Sequence, residues 1–158
     1  IVVQGHAGDI LGLSARGGKI FVREDVGYRA GIHMKEYGDR KPVVVIGGTA
    51  QDFLGEYMAG GILILLGLNL GDGEHHKANF IGTGMHGGVI YLRGSVESYQ
   101  LGKEVGVAEL EEKDYQILQK FVGEFAAHFG YDAEEILQHK FIKLFPLCLR
   151  PYSRLYAY

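Results

Sequence analysis

Seven histidines, nineteen carboxylates and one thiol are the side chains most able to do chemistry in this chain of 158 residues. His75 and His76 follow Gly71-Asp72-Gly73-Glu74, a polar stretch that reads as a loop tip. Adjacent residues of an extended chain point to opposite faces, so the two imidazoles do not share a metal without a special turn. His6, His33 and His86 fall on separate segments, and no H-x-x-x-H pair exists, so a surface loop is favoured over a zinc site. Asp52, Glu56, Asp72 and Glu74 have the chemistry of acid–base carboxylates, but nothing in their spacing fixes a separation between two of them. Ser14, Ser95, Ser98 and Ser153 lie in no G-x-S-x-G elbow. Gly82-Thr83-Gly84-Met85-His86-Gly87 is a literal G-x-G-x-x-G, yet it precedes the strand-like Val89–Leu92 instead of opening a helix, so no helix N-terminus is offered to a phosphate. Cys148, between Leu147 and Leu149, reads as a buried thiol, and a lone cysteine excludes an internal disulfide or an all-cysteine metal cluster. The expectation is a chain with no catalytic, cofactor-binding or metal-binding residues. The rival is a small metal-dependent hydrolase or lyase using His75, His76 and one other histidine.

The elements that position these residues are written in glycine. The chain has 25 Gly, against an average usage of roughly 7%, and 23 of them fall within residues 1–106. Ala15-Arg16-Gly17-Gly18-Lys19-Ile20-Phe21-Val22 is echoed by Met58-Ala59-Gly60-Gly61-Ile62-Leu63-Ile64-Leu65 and again by Met85-His86-Gly87-Gly88-Val89-Ile90-Tyr91-Leu92. Pro42-Val43-Val44-Val45-Ile46-Gly47-Gly48 puts the doublet after the strand. Each unit is a Gly-Gly turn joined to a short β-branched or aliphatic strand. The doublets at Gly18, Gly61 and Gly88 are offset by 43 and 27 residues, which suits stacked coils of unequal length. The predicted fold is mainly β: a single-stranded right-handed parallel β-helix over 1–106, followed by a short helical extension over 107–158. An antiparallel sandwich or barrel with glycine-rich hairpins is the alternative.

Past 106, Leu110, Ile117, Leu118, Phe121, Val122, Phe125 and Phe129 recur at helical spacing, with the acid Asp114 on the same face. Glu109, Glu111, Glu112 and Asp114 load the first turn, and Gly130 marks the end. Asp132 offers an N-cap with Glu135 three residues on, and a second helix is predicted to run to about Ile142. From His139 to Tyr158 the chain carries Lys140, Lys143, Arg150 and Arg154 without an acid, interleaved with Phe141, Phe145, Tyr152, Tyr156 and Tyr158. Those aromatics are expected to lie on the body of the protein with the cations in water.

A formal net charge of −3 makes no case for nucleic acid or an anionic membrane surface. The longest apolar run, Ile62 to Leu70, is interrupted by Gly67 and Asn69 and is too short to span a bilayer. No signal peptide is visible after Ile1-Val2-Val3-Gln4, and a cytoplasmic location is expected.

Several segments together resemble one family. Phe53-Leu54-Gly55-Glu56-Tyr57-Met58-Ala59-Gly60-Gly61 is similar to the Glu-Tyr-Met-Thr-Gly-Gly segment of the C-terminal domain of the glutamate synthase large subunit, a domain named for its Gly-x-Gly-x-Gly repeats. Gly8–Val22, with Gly17 and Gly18, looks like the preceding rung, and Val26–Lys35 like the stretch after it. Asn79-Phe80-Ile81-Gly82-Thr83-Gly84-Met85-His86-Gly87-Gly88-Val89-Ile90-Tyr91 resembles an Asn-Phe-x-x-Gly-Met-x-Gly-Gly-x-x-Tyr rung. Leu118–Leu137 and the closing Phe145-Pro146…Tyr152 are also similar. The resemblance implies a non-catalytic right-handed β-helix that holds amidotransferase and synthase chains in relation, with FMN and an iron–sulfur cluster in the partner and not in this chain. Its structural motif is carried by Gly17, Gly18, Gly47, Gly48, Glu56, Tyr57, Met58, Gly60, Gly61, Gly84, Met85, Gly87 and Gly88. Residue 1 is Ile, so the N-terminal cysteine of a glutaminase is absent, and a first rung of the family pattern is missing. The reading is a stand-alone subunit or an excised domain, with self-association through the uncovered Ile1-Val2-Val3 rung as a further expectation. The same repeat occurs in one of the chains of formylmethanofuran dehydrogenase, the runner-up complex.

Overall fold

The computed structural model describes residues 1–148. It is mainly β, built on one seven-stranded sheet: β1 (Val2–Val3), β2 (Lys19–Val22), β3 (Val43–Ile46), β4 (Ala59–Leu65), β5 (Gly87–Arg93), β6 (Val105–Ala108) and β7 (Phe141–Pro146). The helices are α1 (Glu112–Phe129) and the short α2 (Ala133–Leu137), with one 3-10 turn at Ser98–Gln100. Strands β1 to β5 lie side by side in chain order, and every pairing among them is parallel. Hairpins cannot connect parallel neighbours, so each link must be a whole return coil. The antiparallel sandwich is set aside for this part of the chain.

Period-two alternation gives each strand two apolar faces. Val2, Phe21, Val45, Ile64 and Tyr91 form one register row, and Val3, Val22, Ile46, Leu65 and Leu92 the next. The second row points into the coils, where it meets Ala30, Leu54 and Ile81 from the return segments. The first row points outward, and Phe21, Val45, Ile64 and Tyr91 are covered by Leu118, Phe121, Val122 and Phe125 of α1, while Val2 is exposed. Burial on both faces is why Val43–Ile46 and Ile62–Leu66 are unbroken apolar runs.

The C-terminal part joins the same sheet. β7 lies between β5 and β6 and is antiparallel to both, so it closes the parallel series. This corrects the second predicted helix, which ends at Leu137 instead of near Ile142. The free edge of β5 binds residues 141–144, and Phe141 and Leu144 bury on it. Gly130, in the left-handed conformation, ends α1, and Asp132 caps α2 by accepting from Glu134 N–H at 3.0 Å. The expectation that the tail's cations face water fails at Lys143, whose Nζ is 3.1 Å from Asp114 Oδ1. Tyr152, Tyr156, Tyr158, Arg150 and Arg154 lie outside the described residues.

Asp114 is the one acid on the buried face of α1, and it is 1% exposed. Tyr91 Oη donates to its Oδ1 at 2.6 Å, Glu111 N–H donates to Oδ2 at 2.8 Å, and Lys143 completes the set. One carboxylate thus caps α1 and ties it to β5 and β7. Burial, the largest single influence, pushes its pKa up, but the three donors together outweigh it and hold the carboxyl below its ordinary range. The Tyr91 phenol is pushed up by burial and by the same carboxylate.

Because the folded pKa is depressed, the Asp114 contribution is complete above the unfolded value of about 4 and is lost as pH falls through the folded one. Asp114→Asn is expected to cost about 3 kcal/mol at neutral pH and to flatten the fall of stability below about pH 4. Urea unfolding of both proteins between neutral pH and acid measures this.

Candidate functional site

Each return segment makes the same turn, with left-handed backbone at alternate residues. The positions are Ile10, Gly12 and Ser14; Arg29, Gly31 and His33; Phe53, Gly55 and Tyr57; Phe80, Gly82 and Gly84. All seven non-glycine residues with positive φ among the described residues belong to this set. Such a conformation costs a residue with a Cβ about 1 kcal/mol, and it persists here because the coils hold one another in place. Arg29 N–H donates to Asp52 O at 3.0 Å and Phe53 N–H to Asn79 O at 2.9 Å. His33 N–H donates to Glu56 O at 3.0 Å and Tyr57 N–H to Thr83 O at 2.8 Å.

The middle position is glycine in every coil because it faces the core. A Cβ on Gly55, where φ is +70°, would stand 2.7 Å from Ile90 Cδ1. The outer positions face out, and stacked coils put equivalent side chains one strand spacing apart. The Arg29 guanidinium lies 4.6 Å over the Phe53 ring, and Phe53 stacks on Phe80 with centroids 5.0 Å apart. In the second row His33 stacks on Tyr57 at 5.4 Å. Gly84 continues that row, and the Tyr57 ring occupies the space a Cβ there would need. Glu56, only 9% exposed, accepts from Arg29 Nε at 3.0 Å and joins the two rows. Ile10, Tyr57 and Phe80 nevertheless remain about half exposed, at 48%, 46% and 52%. This face has no nucleophile–base pair. The face is largely aromatic and partly exposed.

The motif residues predicted from sequence separate into three groups. Glu56, Tyr57 and Gly84 lie on this face. Met58 and Met85 stack with Met34 inside the coils, all fully buried. The glycines Gly17, Gly18, Gly47, Gly48, Gly60, Gly61, Gly87 and Gly88 lie at strand ends or in strands. There Gly61 N–H donates to Glu36 Oε1 at 3.1 Å, and a Cβ on Gly47 would meet Phe125 Cζ at 2.7 Å. Ile10, Arg29, His33, Phe53 and Phe80 are left-handed positions of this face that sequence reasoning misses. Their signal is a recurring apolar-Gly-x-x-Met (or Ala) step, in Leu11-Gly12…Ala15, Ala30-Gly31…Met34, Leu54-Gly55…Met58 and Ile81-Gly82…Met85.

Two residue readings are corrected. Cys148 is exposed, not a buried thiol. His76 is not on the surface with His75 but 1% exposed, because the loop folds back and sets its ring against Gly67. Its Nε2 is 2.8 Å from the Arg93 carbonyl, and burial pushes its pKa down, so it is a neutral imidazole donating that bond. Its Nδ1 has no partner. The G-x-G-x-x-G at 82–87 runs through the left-handed turn into β5. Asp52 Oδ1 accepts from Asn79 N–H at 2.8 Å as a turn residue. Among the described residues no three His, Cys, Asp or Glu side chains converge as metal donors. Ser153 lies outside the described residues.

Gly55→Ala is expected to destabilise the protein by about 3 kcal/mol, combining left-handed strain with core overpacking. Gly73→Ala, with φ +78° and open space around it, should cost about 1 kcal/mol. Chemical denaturation of the pair separates the two contributions.

The sequence profile of the GXGXG motif family matches residues 4–147. The chain is also 47% identical over 138 residues to the uncharacterized protein MJ1350 of Methanocaldococcus jannaschii. That alignment takes in 84% of this chain and 53% of the relative, so the chain spans about half the relative's length. No helix among the described residues is long and apolar enough to cross a membrane. With its left-handed glycine turns stacked coil on coil and the profile matching nearly end to end, the chain belongs to the GXGXG motif family.

Proposed function

We propose that this chain is a non-catalytic scaffold of a glutamate synthase-type complex, in which its coils form a right-handed β-helix that positions an amidotransferase chain and an FMN- and iron–sulfur-containing synthase chain. The observation that carries the reading is the family match over residues 4–147. The left-handed face supports it: half-exposed aromatic groups are held rigidly where strain has been tolerated, as at many binding sites. Stacked coils make such a face stiff, so a partner docked on it keeps a fixed orientation relative to one docked elsewhere. On this reading the chain works in the cytoplasm, binds no flavin itself and releases no ammonia from glutamine.

The test is affinity capture of the tagged chain from its native host, read by mass spectrometry. Recovery of a flavin-dependent synthase chain and an amidotransferase chain is expected. The double variant Tyr57→Glu, Phe80→Glu, altered only on the exposed face, should reduce that recovery at least about tenfold while leaving the fold unchanged by circular dichroism. Recovery of formylmethanofuran dehydrogenase chains would move the scaffold to that complex. No partner at all, or stoichiometric zinc in the purified chain, would overturn it.

A further inference from the structure

The loop that buries His76 has a second consequence. Residues 67–74 swing out between β4 and β5 and form one wall of a cavity of about 400 Å³, within the range of small-molecule sites. The opposite wall comes from the end of β5 and from the residues entering β7. The two walls carry opposite charge: Asp72 and Glu74 on the loop, Arg93 and Lys140 across from them, with His139 beside the cations. Gly67, Gly71, Gly73 and Gly94 supply backbone between them without side chains to fill the space.

Five ionisable groups line one cavity, yet no ion pair within 4 Å crosses it. Lys140 pairs with Glu109 at 3.7 Å, a residue outside the cavity lining. Arg93 is the informative residue. Its Nε donates to Ile136 O at 3.1 Å and its Nη1 to Leu66 O at 3.3 Å, so the guanidinium is anchored by two carbonyls. It has no carboxylate within ion-pair distance among the described residues, although Glu135 lies near enough to favour its charge. A half-buried guanidinium pinned in place without an anion is costly unless something else supplies one. Asp72 and Glu74 face the same cavity with no cation in ion-pair distance among the described residues.

We propose that this cavity binds a small zwitterion, a free amino acid with a primary ammonium and a carboxylate. The carboxylate takes the open edge of Arg93 together with Lys140, and the ammonium takes Asp72 and Glu74. A dicarboxylate would meet two acids at one end, and a diamine would meet two cationic side chains at the other. The site is independent of the scaffold reading, because none of its residues lies on the left-handed face.

The test is isothermal titration of the full chain with glycine, glutamate and 4-aminobutyrate, with succinate and 1,4-diaminobutane as matched single-sign controls. At least one zwitterion should bind with a Kd near or below about 1 mM, and both controls should bind at least about tenfold more weakly. Glu74→Gln and Lys140→Met, both at exposed positions, should each weaken the zwitterion about tenfold without changing the unfolding temperature. Equal binding of succinate would make this a plain anion site and overturn the proposal. Absence of heat with all three zwitterions at about ten times that concentration would overturn it as well.

Discussion

Strands and left-handed turns must keep one common register from coil to coil, because their backbone N–H and C=O groups pair with the neighbouring coil. The rest of the structure follows from that register. The row Val2, Phe21, Val45, Ile64 and Tyr91 has neighbours 19, 24, 19 and 27 residues apart, yet the row is continuous. The extra residues are therefore pushed out at corners. One set makes the small turn where Tyr37 and Arg40 pair, and the other makes the loop at 67–74. An insertion within the strands or the left-handed turn would flip inward and outward faces for the remainder of the coil. At a corner it costs only loop entropy. This is why the offsets between glycine doublets look irregular while the architecture is regular.

The same register decides which positions need glycine. Three alternate residues in each turn adopt positive φ, but only the central one points at the core, and only there is glycine invariant among the coils. The outer positions accept Arg29, Phe53, Tyr57 or Phe80, and strain at each is offset in part by stacking on the next coil. A stacked aromatic pair contributes roughly 0.5–1.5 kcal/mol, comparable to the cost of one left-handed residue. The outer face is thus nearly neutral energetically, and its composition is free to answer to something other than stability. Inside, Met34, Met58 and Met85 fill the space beside the turn, a position where an unbranched, adaptable side chain accommodates coils of slightly different shape.

How much of this is legible in the sequence depends on whether a residue's environment is local. Gly-Gly followed by Val-Val-Val-Ile or Ile-Leu-Ile-Leu announces a strand by itself, and the abrupt end of the glycines marks where helix begins. Leu110 to Phe129 declares its buried face, with Asp114 as an exception whose purpose appears only when Tyr91 and Lys143 arrive from two other elements. Residues 141–146 mislead because Phe141, Ile142, Leu144 and Phe145 suit a helix end as well as a strand. The free edge of β5, far away in sequence, makes the choice. His76 misleads for a similar reason. Its neighbours Glu74, His75 and Lys77 are polar, and nothing nearby in sequence reveals that Gly67 and Gly94 leave room for an imidazole. The left-handed face is hidden because its signal is a glycine recurring two residues after an outward position, across coils of unequal length.

On the proposed scaffold reading, stability and recognition sit on different sides of each coil. The helices cover the outward row of β2 to β5, and the Asp114 cluster fixes them there, so the strand side is committed to the core. The turn side is covered by nothing among the described residues, and Ile10, Ser14, Arg29, His33, Phe53 and Tyr57 each donate a backbone hydrogen bond to the next coil. A surface that is rigid before binding loses little conformational entropy when a partner arrives, and an aromatic face gives that partner large contact area with few rotamers to freeze. If the proposed partner docks there, such a division lets the outer positions of the turn change with it while the central glycines and the methionines behind them keep the coils in step.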